Sequence, residues 1–147
     1  MYNVFKSLLT ELGNALGLSE INVENDSSLL EFDERKVSFF WIEKASSLTL
    51  FTTVCPLPET NQEANLKKLL CANTFFAETG GFTLGLMKDT GVTLQYSATA
   101  NALQGNMLTV VENFVNMAEH WKNELQHETQ NSTASYQDYT ATGFTHI

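Results

Sequence analysis

The stretch LKKLLCANTFFAETGGFTLGL, residues 66–86, decides how this chain is read. Its first part has a helical period: Leu66, Leu69, Leu70, Asn73 and Ala77 fall on one face. Gly80-Gly81 follows, and a residue without Cβ readily takes the left-handed backbone that ends a helix. Residues 82–87 then read as a strand. Cys71, Phe75 and Phe76 are apolar but lie off the first stripe. A helix with a second apolar stripe has to bury it, and in a small domain another copy of the chain is a natural cover.

Working back from this stretch, Thr60 or Asn61 is placed to cap the helix, with Glu63 in its first turn. Pro56 and Pro58 end the strand before it, since proline cannot donate to a ladder. Residues 29–33, 37–43 and 47–55 read as three strands. The charged turn Asp33-Glu34-Arg35-Lys36 and the turn Lys44-Ala45-Ser46 join them, and such short connections suggest an antiparallel meander. Residues 2–17 read as a helix with Phe5, Leu8, Leu9, Leu12 and Leu16 along one stripe. Working forward, residues 92–98 form a hairpin with 82–87, and Gly91 suits a positive-φ position in it. A third helix is expected from about residue 106 to 126. Its stripe is Val110, Phe114, Met117, Trp121 and Leu125, widened by Val111, Val115 and Ala118.

The expected architecture is therefore α+β in the order α-β-β-β-α-β-β-α, an antiparallel sheet packed with three helices. Residues 1–127 form the domain. Residues 128–147 turn to Ser, Thr, Gln, Asn and Tyr, too polar to offset their ordering entropy, and read as a disordered tail.

Composition narrows the function. The chain has 147 residues, 43% hydrophobic, a formal net charge of −9, and a single arginine, Arg35. Such a chain lacks the charge to grip phosphate backbones, so nucleic acid is a poor partner, and an acidic surface disfavours anionic membranes. No apolar run approaches a membrane span, and Glu11 interrupts the N-terminal apolar stretch where a signal peptide would be continuous. Cys55 and Cys71 sit in apolar runs and read as two reduced, buried thiols. His120, Glu124 and His127 share a helical face, but a solvated polar face explains them better than a metal site. There is no nucleophile elbow, and the glycines at 80, 81 and 85 lack the Lys-Ser/Thr of a phosphate loop. Neither catalysis nor a cofactor is expected.

The aromatic strands carry the binding expectation. Val37, Phe39 and Trp41 point to one side, Phe40 and Ile42 to the other. Leu48, Leu50 and Val54 share a uniformly aliphatic face, assigned to the core, so Thr49, Phe51 and Thr53 face outward. Phe39 and Trp41 are taken as the outward pair of their strand, because tryptophan often anchors interfaces and its N–H tolerates partial exposure. Apolar residues then remain on the outer face. They are expected to dock an extended peptide, or else to be covered by a dimer partner or the third helix.

Leu69-Leu70-Cys71-Ala72-Asn73, then Thr79-Gly80-Gly81 and Leu84-Gly85-Leu86, resembles the ALLxAN-like helix, GG turn and short strand of class I chaperones of type III secretion systems, the Tir chaperone-like family. LLTELGNALGL near the start resembles that family's opening helix, and LTVVENFVNMAEHWKNEL its closing one. The resemblance covers roughly residues 2–127 and says nothing of the tail. It implies a homodimeric chaperone of the bacterial cytosol that binds the N-terminal segment of one or more secreted effector proteins in extended form, without a nucleotide. It admits the secretion-system ATPase as a further partner.

The expected effector-binding residues are Phe39, Trp41, Thr49, Phe51 and Thr53, with Phe5 of the first helix in a wall beside them. The expected dimer interface is Leu70, Asn73, Phe75 and Phe76. Two alternatives stay open: a small-ligand-binding or enzymatic α+β domain, which needs a concave pocket with converging polar groups, and an adaptor whose apolar surface serves only homo-oligomerisation.

Overall fold

The structure, a computed structural model, describes residues 2–130. Tight turns build its sheet. Asp33 and Glu34, at φ 47° and 73°, close a two-residue hairpin between β1 (Ser27–Phe32) and β2 (Arg35–Ile42). Positive φ at both central residues gives a turn whose twist matches the flanking strands. Glu43–Ala45 and Ser46, the latter at φ 44°, carry the chain into β3 (Ser47–Cys55). A second hairpin joins β4 (Thr83–Met87) to β5 (Gly91–Thr99). Gly91 at φ 89° is obligatory there, because a Cβ would lie 2.6 Å from the Cys55 carbonyl oxygen. The sheet runs β1-β2-β3-β5-β4 and is antiparallel throughout.

The helices are α1 (Tyr2–Leu16), α2 (Gln62–Asn73), a one-turn α3 (Ala100–Leu103) and the long α4 (Met107–Gln130). One face of the sheet supplies Val37, Phe39, Trp41, Leu48, Leu50, Leu84 and Leu94 to a single core. The helices add Phe5, Leu8, Leu9 and Leu12, Leu69 and Ala72, and Val111, Phe114, Trp121 and Leu125. The Phe5 ring stacks on Trp41 at 6.0 Å, and Phe82 meets Phe114 edge-on at 5.2 Å. Burying one such side chain stabilises the fold by about 1.5–3 kcal/mol.

Polar ties fix the helices on this core. The Glu11 carboxylate of α1 accepts from the backbone N–H groups of Gly105 (2.9 Å) and Met107 (3.1 Å). That places a negative charge at the N-terminus of α4, where the helix dipole favours it. Buried Arg35 donates through Nε to Glu119 Oε1 of α4 (2.9 Å) and through its guanidinium to the Thr53 carbonyl (2.8 Å).

The α+β class and the order of the main elements agree with the expectation, and α3 is an addition to it. Several details differ. Strand β1 begins two residues earlier than expected, at Ser27, and β2 two residues earlier, at Arg35, the latter because the turn between them is only Asp33-Glu34. Helix α2 stops at Asn73 rather than Gly80. The Asn73 amide is engaged elsewhere, and Phe75 and Phe76 take left-handed φ of 59° and 56°. The buried positions of α2 are Asn65, Leu69 and Ala72, while Leu70 and Cys71 are exposed, so only Cys55 is a buried thiol. Helix α4 continues to Gln130. The tail expectation for residues 131–147 lies outside the described residues.

Candidate functional site: the uncovered face of the sheet

Side chains directly opposite each other on neighbouring strands point to the same face. Phe39 pairs with Leu50 and Trp41 with Leu48. With Leu48 and Leu50 buried, Phe39 and Trp41 have to be core residues too, and they are 0% and 5% exposed. This corrects the expectation that they face outward. The Trp41 indole N–H is satisfied without solvent by donating to Glu43 Oε2 at 2.7 Å. Phe5 is likewise fully buried, against Trp41, and forms no wall at the surface.

The outward row of β2 is Ser38, Phe40 and Ile42. Phe40 stands opposite Thr49, which stands opposite Ser97; Ser38 stands opposite Phe51, which stands opposite Gln95. Thr49, Phe51 and Thr53 face this side, as expected from the sequence. Thr49 Oγ1 and Ser97 Oγ share a hydrogen bond of 2.6 Å. Leu29 of β1 joins the same face opposite Ser38. Leu29, Phe40 and Ile42 are 58%, 42% and 45% exposed. The buried faces of α1, α2 and α4 all join the core on the other side, so no described helix covers this row.

The face is asymmetric. Its β1–β3 half is apolar (Leu29, Phe40, Ile42, Phe51). Its β3–β5 half is hydroxyl- and amide-bearing (Thr49, Thr53, Thr93, Gln95, Ser97). Charge enters only at one end, with Glu31 opposite Lys36. An open cleft of about 830 Å³ borders it at Leu29, Ser38, Phe51 and Thr53 and reaches round to Arg35, Glu119 and Lys122. A smaller groove of about 390 Å³ lies between α1 and the loop after it, lined largely by polar residues such as Thr10, Asn14, Ser19 and Asn22.

The sheet's two edges differ. On β4, the Asn73 side chain acts as a strand surrogate: its Nδ2 donates to the Leu84 carbonyl and its Oδ1 accepts from the Leu84 N–H, both at 2.8 Å. Asn73, expected at a dimer interface, is thus spent within its own chain. On β1, Trp41 N–H donates to the Asp26 carbonyl, which fixes the parity of the ladder: the even residues of β1 bond to β2, and the odd ones turn their backbone groups outward. Ser27 is closed by Glu24, which exchanges both backbone hydrogen bonds with it. Leu29 and Glu31 have no such partner among the described residues.

Apolar residues are also exposed in and between α2 and β4. Phe75 is 93% exposed and Leu70 70%, and Phe76, Leu86 and Met87 are about half-exposed, the last two on opposite faces of their strand. Leu70, Phe75 and Phe76 were expected in a dimer interface; all three are exposed, and so are Leu86 and Met87.

No convergent catalytic set accompanies these surfaces. Among the described residues, no group of His, Cys, Asp and Glu is arranged to hold a metal. Glu124, on the face shared with His120 and His127, accepts from Lys68 Nζ of α2 at 3.0 Å, and this hydrogen bond holds its carboxyl below the usual range. Burial pushes the Cys55 thiol up, against the opposing pull of Lys122 and Arg35, and leaves it a poor nucleophile. No helix among the described residues is long and apolar enough to cross a membrane.

Comparison with known structures finds the same fold. The chain resembles a structure of the ExsC–ExsE complex at a TM-score of 0.69 and 23% identity, covering 82% of this chain and 92% of that one. It resembles the HopA1–SchA chaperone–effector complex at 0.61 and 16%, covering 82% and 94%. It also resembles the Yersinia pestis type III secretion chaperone SycH in complex with a fragment of YscM2, at 0.59 and 24%, covering 77% and 98%. Identities this low carry the fold alone. No curated protein matches the sequence. The sequence profile of one family, however, matches residues 7–122, most of the chain and all of its sheet. The chain belongs to the Tir chaperone protein (CesT) family.

Proposed function

We propose that this chain is a bacterial cytosolic chaperone that holds a segment of a secreted effector protein, unfolded and extended, against the outer face of its sheet. One observation carries the reading: Leu29, Phe40 and Ile42 are exposed, with Phe51 half-buried beside them, on a face no described helix covers. An extended peptide presents alternate side chains to such a row and leaves its main chain free for pairing at an edge. Family membership supports it, as do solved relatives described as chaperone–effector complexes. The function is binding, with no reaction and no cofactor.

The protein works as a homodimer, with the exposed Leu70, Phe75, Phe76 and Leu86 around α2 and β4 as the isologous contact. An exposed phenylalanine held in a left-handed conformation costs free energy that an interface offsets.

The test is genetic and biochemical. The tagged chain is purified from its native host, its partner is identified, and secretion of that partner is followed in a strain lacking the chain. The reading expects a secreted protein that is bound through its N-terminal segment and whose export falls when the chain is absent. A partner that is not secreted, or whose export is unaffected, would overturn it.

A further inference from the structure

We infer that residues 131–147 of this chain are a built-in occupant of the outer face. The segment that follows α4 turns back into the cleft beside Phe51 and sets Phe144 on the row of Leu29, Phe40 and Ile42, where cargo has to displace it. The proposal rests on the chaperone reading only for the displacement by cargo; the occupancy stands on the chain's own surface and sequence.

The cleft supplies the path. Asn116, Glu119 and Lys122 of α4 form one wall, and Ser38, Phe51 and Thr53 form the other. It therefore joins the helix that ends at Gln130 to the apolar row. Lys122 stands eight residues before that end, about 12 Å back along the helix axis. Residues 131–135, Asn-Ser-Thr-Ala-Ser, can span up to about 17 Å. They are small and polar, and long enough to bring the chain back to the cleft. The twelve residues 136–147 can span up to about 40 Å more, while β1 to β3 is only about 10 Å across. The segment reaches the whole row on its own subunit.

The sequence of the segment fits that surface. Seven of the twelve residues in YQDYTATGFTHI, 136–147, are Thr, Tyr, Phe or Ile, and Gly143 disfavours a helix, so an extended form suits it. An extended chain turns Tyr136, Asp138 and Phe144 to one side. Tyr136 then enters the cleft, and Asp138 meets Lys36 and Lys122, which line it and form no ion pair among the described residues. Phe144 comes to the exposed Phe40 and Ile42. Asp138 is the segment's only carboxylate, and it has no Lys or Arg, so the acidic surface elsewhere does not repel it. A composition too polar to build a core of its own can still set a few rings on an apolar surface that is already built. Tethering makes weak contacts sufficient, because a linked segment acts at an effective concentration on the order of millimolar.

The test is a labelled synthetic peptide of residues 136–147, titrated by fluorescence anisotropy against the full chain and against the full chain carrying Tyr136→Ser with Phe144→Ser. Both substitutions lie outside the core. In the wild type the tethered segment competes with the free peptide, so the wild type should bind the peptide at least about tenfold more weakly than the variant does. Adding Phe40→Asp to the variant should abolish peptide binding in a chain whose melt is unchanged. Equal binding by wild type and variant, binding by neither, or binding that survives Phe40→Asp overturns the inference.

The chaperone reading fails separately. An effector segment should bind the Tyr136→Ser, Phe144→Ser chain severalfold more tightly than the wild type, since nothing then has to be displaced. An effector segment that is lost with Phe40→Asp but binds those two chains equally keeps the chaperone reading and removes the built-in occupant. A peptide of residues 136–147 that behaves as expected, with no effector segment bound at this face, keeps the occupant and removes the chaperone reading.

Discussion

Trp41 shows how much a single residue's phase decides. It stacks on Phe5, pairs across the ladder with Leu48 and satisfies its indole N–H on Glu43. Trp41→Ala should therefore cost about 3–5 kcal/mol of stability, the scale for emptying a buried tryptophan site, as read from urea denaturation. Leu50→Asp should unfold the chain outright, since it buries an unpaired charge, whereas Phe51→Asp, on the outer face, should leave a folded protein with a near-native melt. The aliphatic phase of β3 was legible in the sequence, and with it the outward direction of Thr49, Phe51 and Thr53. The phase of β2 was not, because both of its faces are apolar. A three-residue turn, Lys44-Ala45-Ser46, would set Phe40 opposite Leu50; the real connection also uses Glu43, and Phe39 stands there instead. A slip of one residue turns every side chain to the other face. That is why Phe40 and Ile42 were missed as surface residues and Phe39 and Trp41 were placed there.

At the scale of elements, the resemblance located α2 and the glycine turn, but not the break at Asn73. Helical period alone runs on to Ala77. The stop is tertiary: an amide that pairs with Leu84, eleven residues on, and so closes the edge of β4 at that rung. Asn73→Ala should cost about 1–3 kcal/mol by leaving the Leu84 N–H and carbonyl at that edge less well satisfied, and it should raise concentration-dependent aggregation in light scattering as the edge opens. Phe75→Gly separates assembly from folding. Glycine relieves a left-handed backbone that costs a bulky residue about 1–2 kcal/mol, so the isolated subunit gains, while sedimentation should show self-association weakened by at least about tenfold, the scale of one interface hot spot. The tie between α2 and α4 has its own signature. The Lys68 hydrogen bond lowers the Glu124 carboxyl, so the pair's contribution is complete above the ordinary glutamate value and fades as pH falls through the lowered one. Glu124→Gln should thus lower stability by no more than about 1 kcal/mol near neutrality, and the difference from wild type should vanish in acid well below about pH 4.

For the whole molecule, the proposed reading gives the two apolar surfaces separate work. The helices pack on one face of the sheet, and the other, on which none packs, is the one we propose for cargo, while the exposed residues around α2 and β4 are those we propose for a second subunit. Net charge and the scattered acidic residues keep such a molecule soluble despite its bare hydrophobic rows. The central claim is that cargo lies along the outer row of β1–β3. Its most direct measurement is the affinity of the effector's N-terminal segment, by titration calorimetry, for the wild-type chain and for Phe40→Asp and Phe51→Asp. The account predicts that each variant melts like wild type, remains a dimer, and binds the segment at least about tenfold more weakly, the loss of a hot-spot contact. Undiminished binding by both variants would contradict it.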